Sequence, residues 1–143
     1  MSGVAVVRYL LANSAAITAV VPAARIISGD APLATLRPLI VVTQIDSIPL
    51  NYIRTNEANK LHTDRVQVSW IFNGPFATKP GTGYPGVAAM AWLVLAAVPS
   101  SRGTINGVSV QNITPEGEGP DLYDDATNMY SRSRDFIVRW VGA

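Results

Sequence analysis

The chain has no cysteine and one histidine, His62, among its 143 residues. Without thiols there are no disulfides and no thiolate metal ligands. Nucleophilic catalysis of the Ser-His-Asp kind has only His62 to draw on, and no nucleophile elbow accompanies it. The reading of His62 is a surface residue capping the start of a strand. Charge is scarce as well: 11 Lys+Arg against 10 Asp+Glu give a net charge of +1 and a charged fraction of 15%. Nothing marks the surface as an electrostatic footprint for nucleic acid. The longest apolar run, Val87 to Val98, has 12 residues, short of the roughly 20 that a spanning helix needs. No basic leader precedes an apolar core at the N-terminus, so neither a signal peptide nor a targeting segment is expected there.

What is present is apolar surface. A hydrophobic fraction of 48% over so few charges is surface-poor for a monomer, and part of it is expected to meet another subunit. The length suits one domain over residues 1–143, of which folding buries roughly 68–70% of the unfolded chain's surface. No internal repeat or domain boundary interrupts it.

The clearest element is His62 to Asn73. Val66, Val68, Trp70 and Phe72 fall on one face, and Arg65, Gln67, Ser69 and Asn73 on the other, with Ile71 the one large apolar residue among them. That two-residue period predicts a strand with one buried face, typical of antiparallel sheets. Met129 to Val141 repeats it, with Tyr130, Phe136, Val138 and Trp140 on one face. Leu39 to Ser47 reads as a third, β-branched strand and Arg25 to Ser28 as a short one. Val4 to Ala12 predicts a helix, Ala15 to Val21 a second capped by Ser14, and Val87 to Val98 a third, apolar all round, lying across the buried sheet face. Asn106-Gly107 signals a tight hairpin.

Between the strands, Ile48 to Leu61 reads as a long loop of 14 residues. It reads either as a mobile surface loop or as an arm that contacts a neighbouring subunit or lines a channel, and Leu50, Tyr52, Ile53 and Leu61, apolar residues that a merely solvated loop has little reason to carry, favour the arm. Pro115 to Asn128 reads as a solvated acidic connector holding Glu116, Glu118, Asp121, Asp124 and Asp125, without the spacing of a calcium loop. Gly74 to Gly86 reads as a Gly/Pro loop, and its Lys79-Pro80-Gly81-Thr82-Gly83 lacks the order of a phosphate loop. Asn112-Ile113-Thr114 is a glycosylation pattern without a secretory context. Arg132, Arg134 and Asp135 lie in the polar opening of the last strand; basic residues turning to apolar ones along one strand face indicate a subunit or domain edge rather than a nucleic-acid site. No cofactor site emerges. The fold class expected is α+β, an antiparallel sheet with helices packed on one face and a long inter-strand loop.

The order of these segments resembles a known family. An N-terminal helix, Arg25-Ile26-Ile27 leading to Ala31-Pro32, the strand Pro38-Leu39-Ile40-Val41-Val42, a long loop, Asp64-Arg65-Val66-Gln67-Val68, an Ala-rich helix and the closing Arg134-Asp135-Phe136-Ile137-Val138-Arg139-Trp140 resemble the tail-completion proteins of long-tailed bacteriophages, also called tail terminators or tail-to-head joining proteins. The Gly74 to Gly86 loop and the Asn106-Gly107 hairpin depart from that pattern.

The resemblance implies a non-enzymatic, ring-forming virion protein, typically hexameric, assembled in the bacterial cytoplasm. It would stop tail-tube polymerisation and join the tube protein to the head connector or stopper, with no membrane partner. A chain this size has a radius of gyration of roughly 14–15 Å and a body about 37 Å across. Six in a ring leave a hole about one body wide, enough for a DNA duplex roughly 20 Å across to pass without specific binding. Another neck component, a head-completion or stopper protein, fits the same ring logic. A small ligand-binding or hydrolytic domain would have to use His62 and the acidic connector.

Overall fold

The computed structural model describes residues 2–29, 37–50, 60–73 and 83–142. Helices α1 (Gly3–Ala12) and α2 (Ala15–Thr18) and a 3-10 turn at Ala23–Arg25 lead into β1 (Ile26–Ser28), β2 (Leu39–Leu50) and β3 (Lys60–Asn73). Helix α3 (Gly83–Ala97) follows, then β4 (Gly103–Ile105), β5 (Val108–Glu118), β6 (Leu122–Asp124) and β7 (Met129–Gly142). The seven strands make one mixed sheet, curled into a half-barrel, in the order β1-β2-β3-β7-β5-β4, with β6 also on β7.

The spine is the β3–β7 pair, antiparallel and in register from Lys60↔Gly142 to Asn73↔Met129. Alternation along β3 sends Val66, Val68, Trp70 and Phe72 into the interior and leaves Arg65 and Asn73 exposed, as its sequence period requires. Phe136, Val138 and Trp140 of β7 join the same buried cluster, together with Val6, Val7 and Leu11 of α1, Ile17 of α2 and Val87, Met90 and Val94 of α3. Each such side chain contributes about 1.5–3 kcal/mol of transfer free energy. Trp70 also donates its indole N–H to the Val87 carbonyl at 3.0 Å, so its polar edge is satisfied where α3 crosses the sheet. The first two helices start on serine caps: Ser2 Oγ accepts from Ala5 N–H and Ser14 Oγ from Ile17 N–H. No helix among the described residues is long and apolar enough to cross a membrane.

Four expectations are corrected. The sheet is mixed, because β1 pairs parallel with β2 at Ile26↔Ile40 to Ser28↔Val42. The inter-strand loop is shorter than Ile48 to Leu61, since Ile48↔Thr63, Pro49↔His62 and Leu50↔Leu61 are strand pairs. Among the described residues β1 covers only Ile40 to Val42, so Pro49 falls on an edge part of β2, where a proline is ordinarily found in a sheet. The acidic connector is largely strand: β5 runs on through Pro115↔Phe136 to Glu118↔Arg134, and Leu122 to Asp124 pair with Met129 to Ser131. The second helix stops at Thr18 rather than Val21. The Asn106-Gly107 turn has the paired positive φ values, 49° and 77°, of a tight hairpin, and it joins β4 to β5.

Candidate subunit interface

In the β2–β3 hairpin, the arm of the sequence reading, the β3 half lies along β7, while the β2 half beyond Val42 has no second strand beside it among the described residues. Leu50 and Leu61 are register partners in that arm. Tyr52 and Ile53 lie outside the described residues. Two large apolar side chains stand out on the open half, Ile45 at 49% and Ile48 at 58% exposure. A register shift between Gln44 and Asp46 marks a bulge, and together with Pro49 it blunts this edge against indiscriminate strand addition.

Arg132, Arg134 and Asp135 do not form one patch. Arg132 and Arg134 lie on the β7 face that continues into Phe136, Val138 and Trp140, and Asp135 lies on the opposite face. Arg132 pairs with Asp121 and with Glu118 at 3.2 Å, and Arg134 with Glu118 at 3.1 Å. The hydrogen bond to Asp121 is the main reason the Arg132 guanidinium holds its proton more tightly than usual. Across the sheet, Asp135 accepts from Arg65 Nε at 2.8 Å and Nη2 at 2.7 Å, and this raises the Arg65 pKa. All three residues thus have partners within the chain. Beside the first pair sits Trp92 of α3, 75% exposed, in a cleft with Ala91, Glu118, Arg132 and Arg134. The sequence, which leaves one face of this helix for a subunit contact, does not single out Trp92, since a helix apolar on every side gives no phase from which exposure can be read.

At the other end of β7 the sheet is locked by a residue that sequence reading also passed over. Asp64 is 1% exposed and accepts from the Gly3 N–H and the Trp140 indole N–H, each at 2.8 Å, and from the Ser47 hydroxyl. It ties the first turn of α1, where unpaired amides and the helix dipole favour an anion, to the base of the arm. The available signal was parity, as Asp64 is in phase with Val66 and Val68. His62, two residues earlier, is inside β3 rather than capping it. Its ring stacks on Trp140 at 4.3 Å between centroids and its Nε2 lies 3.3 Å from the Gly142 carbonyl oxygen. Among the described residues no three His, Asp or Glu side chains converge as metal ligands would.

No curated protein matches the sequence. Among solved structures, a chain of the "Virion of native gene transfer agent (GTA) particle" superposes with a TM-score of 0.67, over 99% of this chain and 96% of that one, at 14% identity. That likeness is one of fold. A family model described as tail completion protein gp17 matches residues 5–140, which is nearly the whole chain, and the protein therefore belongs to that tail-completion family.

Proposed function

We propose that this protein is a structural, non-enzymatic tail terminator whose copies close into a ring, with six the expected number, at the head-proximal end of the tail tube. The observation that carries the reading is the family match over residues 5–140, and the fold shared end to end with a virion chain supports it. In this role the ring stops tube polymerisation, presents one face to the tube protein and the other to the head connector or stopper, and lets DNA through its hole without specific binding or a cofactor. Its place is the virion neck, reached by assembly in the bacterial cytoplasm.

Physical features agree with a building block. The exposed Ile45, Ile48, Leu122, Tyr123 and Trp92 are spread over the arm, the β6–β7 hairpin and α3, as a subunit with two different flanks requires. Val6, Val7, Val87, Met90 and Val94 of the helices pack with Val66 and Trp70, and on the other face of β3 Arg65 is exposed while Gln67 and Ser69 are half-buried. On that face the Arg65–Asp135 pair cancels its own charge, and a balanced surface suits a conduit through which a polyanion slides. The arm, with Leu50 and Leu61 at its described end and Tyr52 and Ile53 beyond, reaches a neighbour.

Native mass spectrometry of the purified protein, together with labelled imaging of particles, tests the reading. Closed rings and label at the head–tail junction are expected. A protein that stays monomeric at every concentration and is missing from the junction overturns it, and label on the head side of the connector reassigns it as a stopper or head-completion protein.

A further inference from the structure

On the open side of the sheet, a cavity of about 310 Å³ lies between the β6–β7 hairpin and β3, lined by Arg37, Ile71, Leu122, Tyr123, Asp124 and Met129 among others. Its volume is about twice the ~150 Å³ that admits one benzene ring. Its lining is mostly apolar and includes the Arg37 guanidinium, the Asp124 carboxylate and the hydroxyls of Tyr123, Thr127 and Ser131. That is the chemistry an indole ring asks for: apolar contact, a cation against the π face, and an acceptor for the ring N–H.

The chain carries one such ring in the open. Trp92 is 75% exposed, and it lies on the opposite side of the molecule. Met90 and Val94 of the same helix are buried in the core with Trp70, whereas Ile71 and its β7 partner Ser131 fall on the other face of those strands. We propose that the subunits are joined head to tail by Trp92 of one copy seated in this cavity of the next, a contact that rests on the ring reading above and names its joint. A knob and a hole on opposite flanks make the heterologous contact that closes by rotation.

A second observation points the same way. Among the described residues, the buried side-chain polar atoms without a hydrogen-bond partner are Arg37 Nε and Arg134 Nε. Arg37 lines the hole and Arg134 lines the cleft beside the knob. Both arginines stand where docking brings complementary groups: the Arg37 guanidinium offers a cation to the face of the Trp92 ring, and the Asp124 carboxylate in the wall of the hole comes toward the Arg132 and Arg134 side of the cleft.

The test uses the full chain, with association followed by analytical ultracentrifugation and folding by circular dichroism. Trp92→Ala removes the knob and is expected to weaken association at least about thirty-fold, as loss of a central interface tryptophan does. Ser131→Trp plugs the hole and should do the same; if it does not fold, Leu122→Lys at the exposed rim replaces it. Neither variant assembles alone, yet an equimolar mixture retains one intact knob and one intact hole, so it yields dimers and nothing larger. Variants that assemble like the parent, or a mixture that gives no dimer, overturn this joint while leaving the ring itself standing. A parent protein that never oligomerises removes the ring and the joint together.

Discussion

At one end of β7, Trp140 donates to Asp64, a carboxylate 1% exposed, held by three neutral donors with no cation among its hydrogen-bond partners. At the other end of the same strand face, Arg132 and Arg134 share Glu118, with side chains 16%, 17% and 31% exposed. The difference follows water. Where α1 closes over the sheet, a charge survives only if every direction around it offers a hydrogen bond, and the first turn of a helix supplies one of those at the favourable end of its dipole. Beyond the helices, solvent screens the pair and opposite charges suffice, each worth little. The first end is fold architecture. The second is a surface that a partner can approach.

Removing the carboxylate gives the largest effect. Asp64→Ala leaves the Gly3 N–H, the Trp140 indole and the Ser47 hydroxyl without their acceptor, and a loss of about 3–5 kcal/mol in urea unfolding is expected. Asp64→Asn keeps the shape and one acceptor oxygen, and should lose about 1–3 kcal/mol. An alanine variant within 0.5 kcal/mol of the parent, a margin typical of ordinary surface positions, would erase the contrast between the two ends.

Next comes the residue that lets α1 approach. A Cβ on Gly3 would stand 2.9 Å from Asp64 Cβ and 3.2 Å from Val138 Cβ, so Gly3→Ala overpacks the contact and should cost about 1–3 kcal/mol. In an unconstrained helix the same change gains about 1 kcal/mol. A measured gain would show that α1 sits more loosely over Asp64 than these distances imply.

The ionic end should yield less, and yield it differently. Glu118→Gln removes the acid shared by two arginines, with an expected loss of about 0.5–1 kcal/mol at low salt. That loss shrinks toward zero as the Debye length falls from about 10 Å at 0.1 M to about 3 Å at 1 M. The Asp64 variants, out of reach of counterions, should show no such salt dependence.

What the sequence made legible, and what it hid, divides along the same line. The strands β3 and β7 announce themselves because Val66, Val68, Trp70 and Phe72, and then Phe136, Val138 and Trp140, alternate without a break, and Asn106-Gly107 names its own turn. Those signals are local. The parallel partner of β1, the acceptor role of Asp64 for an amide 61 positions away, and the strand character of Pro115 to Glu118 are set by distant partners. With Pro115, Gly117 and Gly119 this last segment looks like a connector, and it becomes strand because β7 offers a ladder and Arg134 neutralises Glu118. Of the residues expected at an interface, Leu50 and Leu61 are paired strand residues rather than loop residues, and Arg132, Arg134 and Asp135 share a strand but not a face. Adjacent residues on a strand cannot share one.

The smallest effect belongs to the hairpin that edges the Trp92 cavity. A hydrogen bond from the Thr127 side chain, and then one from the Ala126 N–H, lower the Asp124 pKa below its usual range. A carboxylate whose pKa is lower folded than unfolded favours the folded turn wherever it is ionised. That contribution is complete above the unfolded value of about 3.9 and disappears as pH falls through the lower, folded one. Amide hydrogen exchange at Ala126 should therefore speed up, relative to amides in β3, as the solution is acidified below about pH 4, with little change in global unfolding. Asp124→Asn should abolish that acid response while leaving Asp64 and the helix end of β7 untouched. If the Ala126 amide instead exchanges no faster, relative to β3, below that pH, the Asp124 hydrogen bonds contribute nothing to holding the turn.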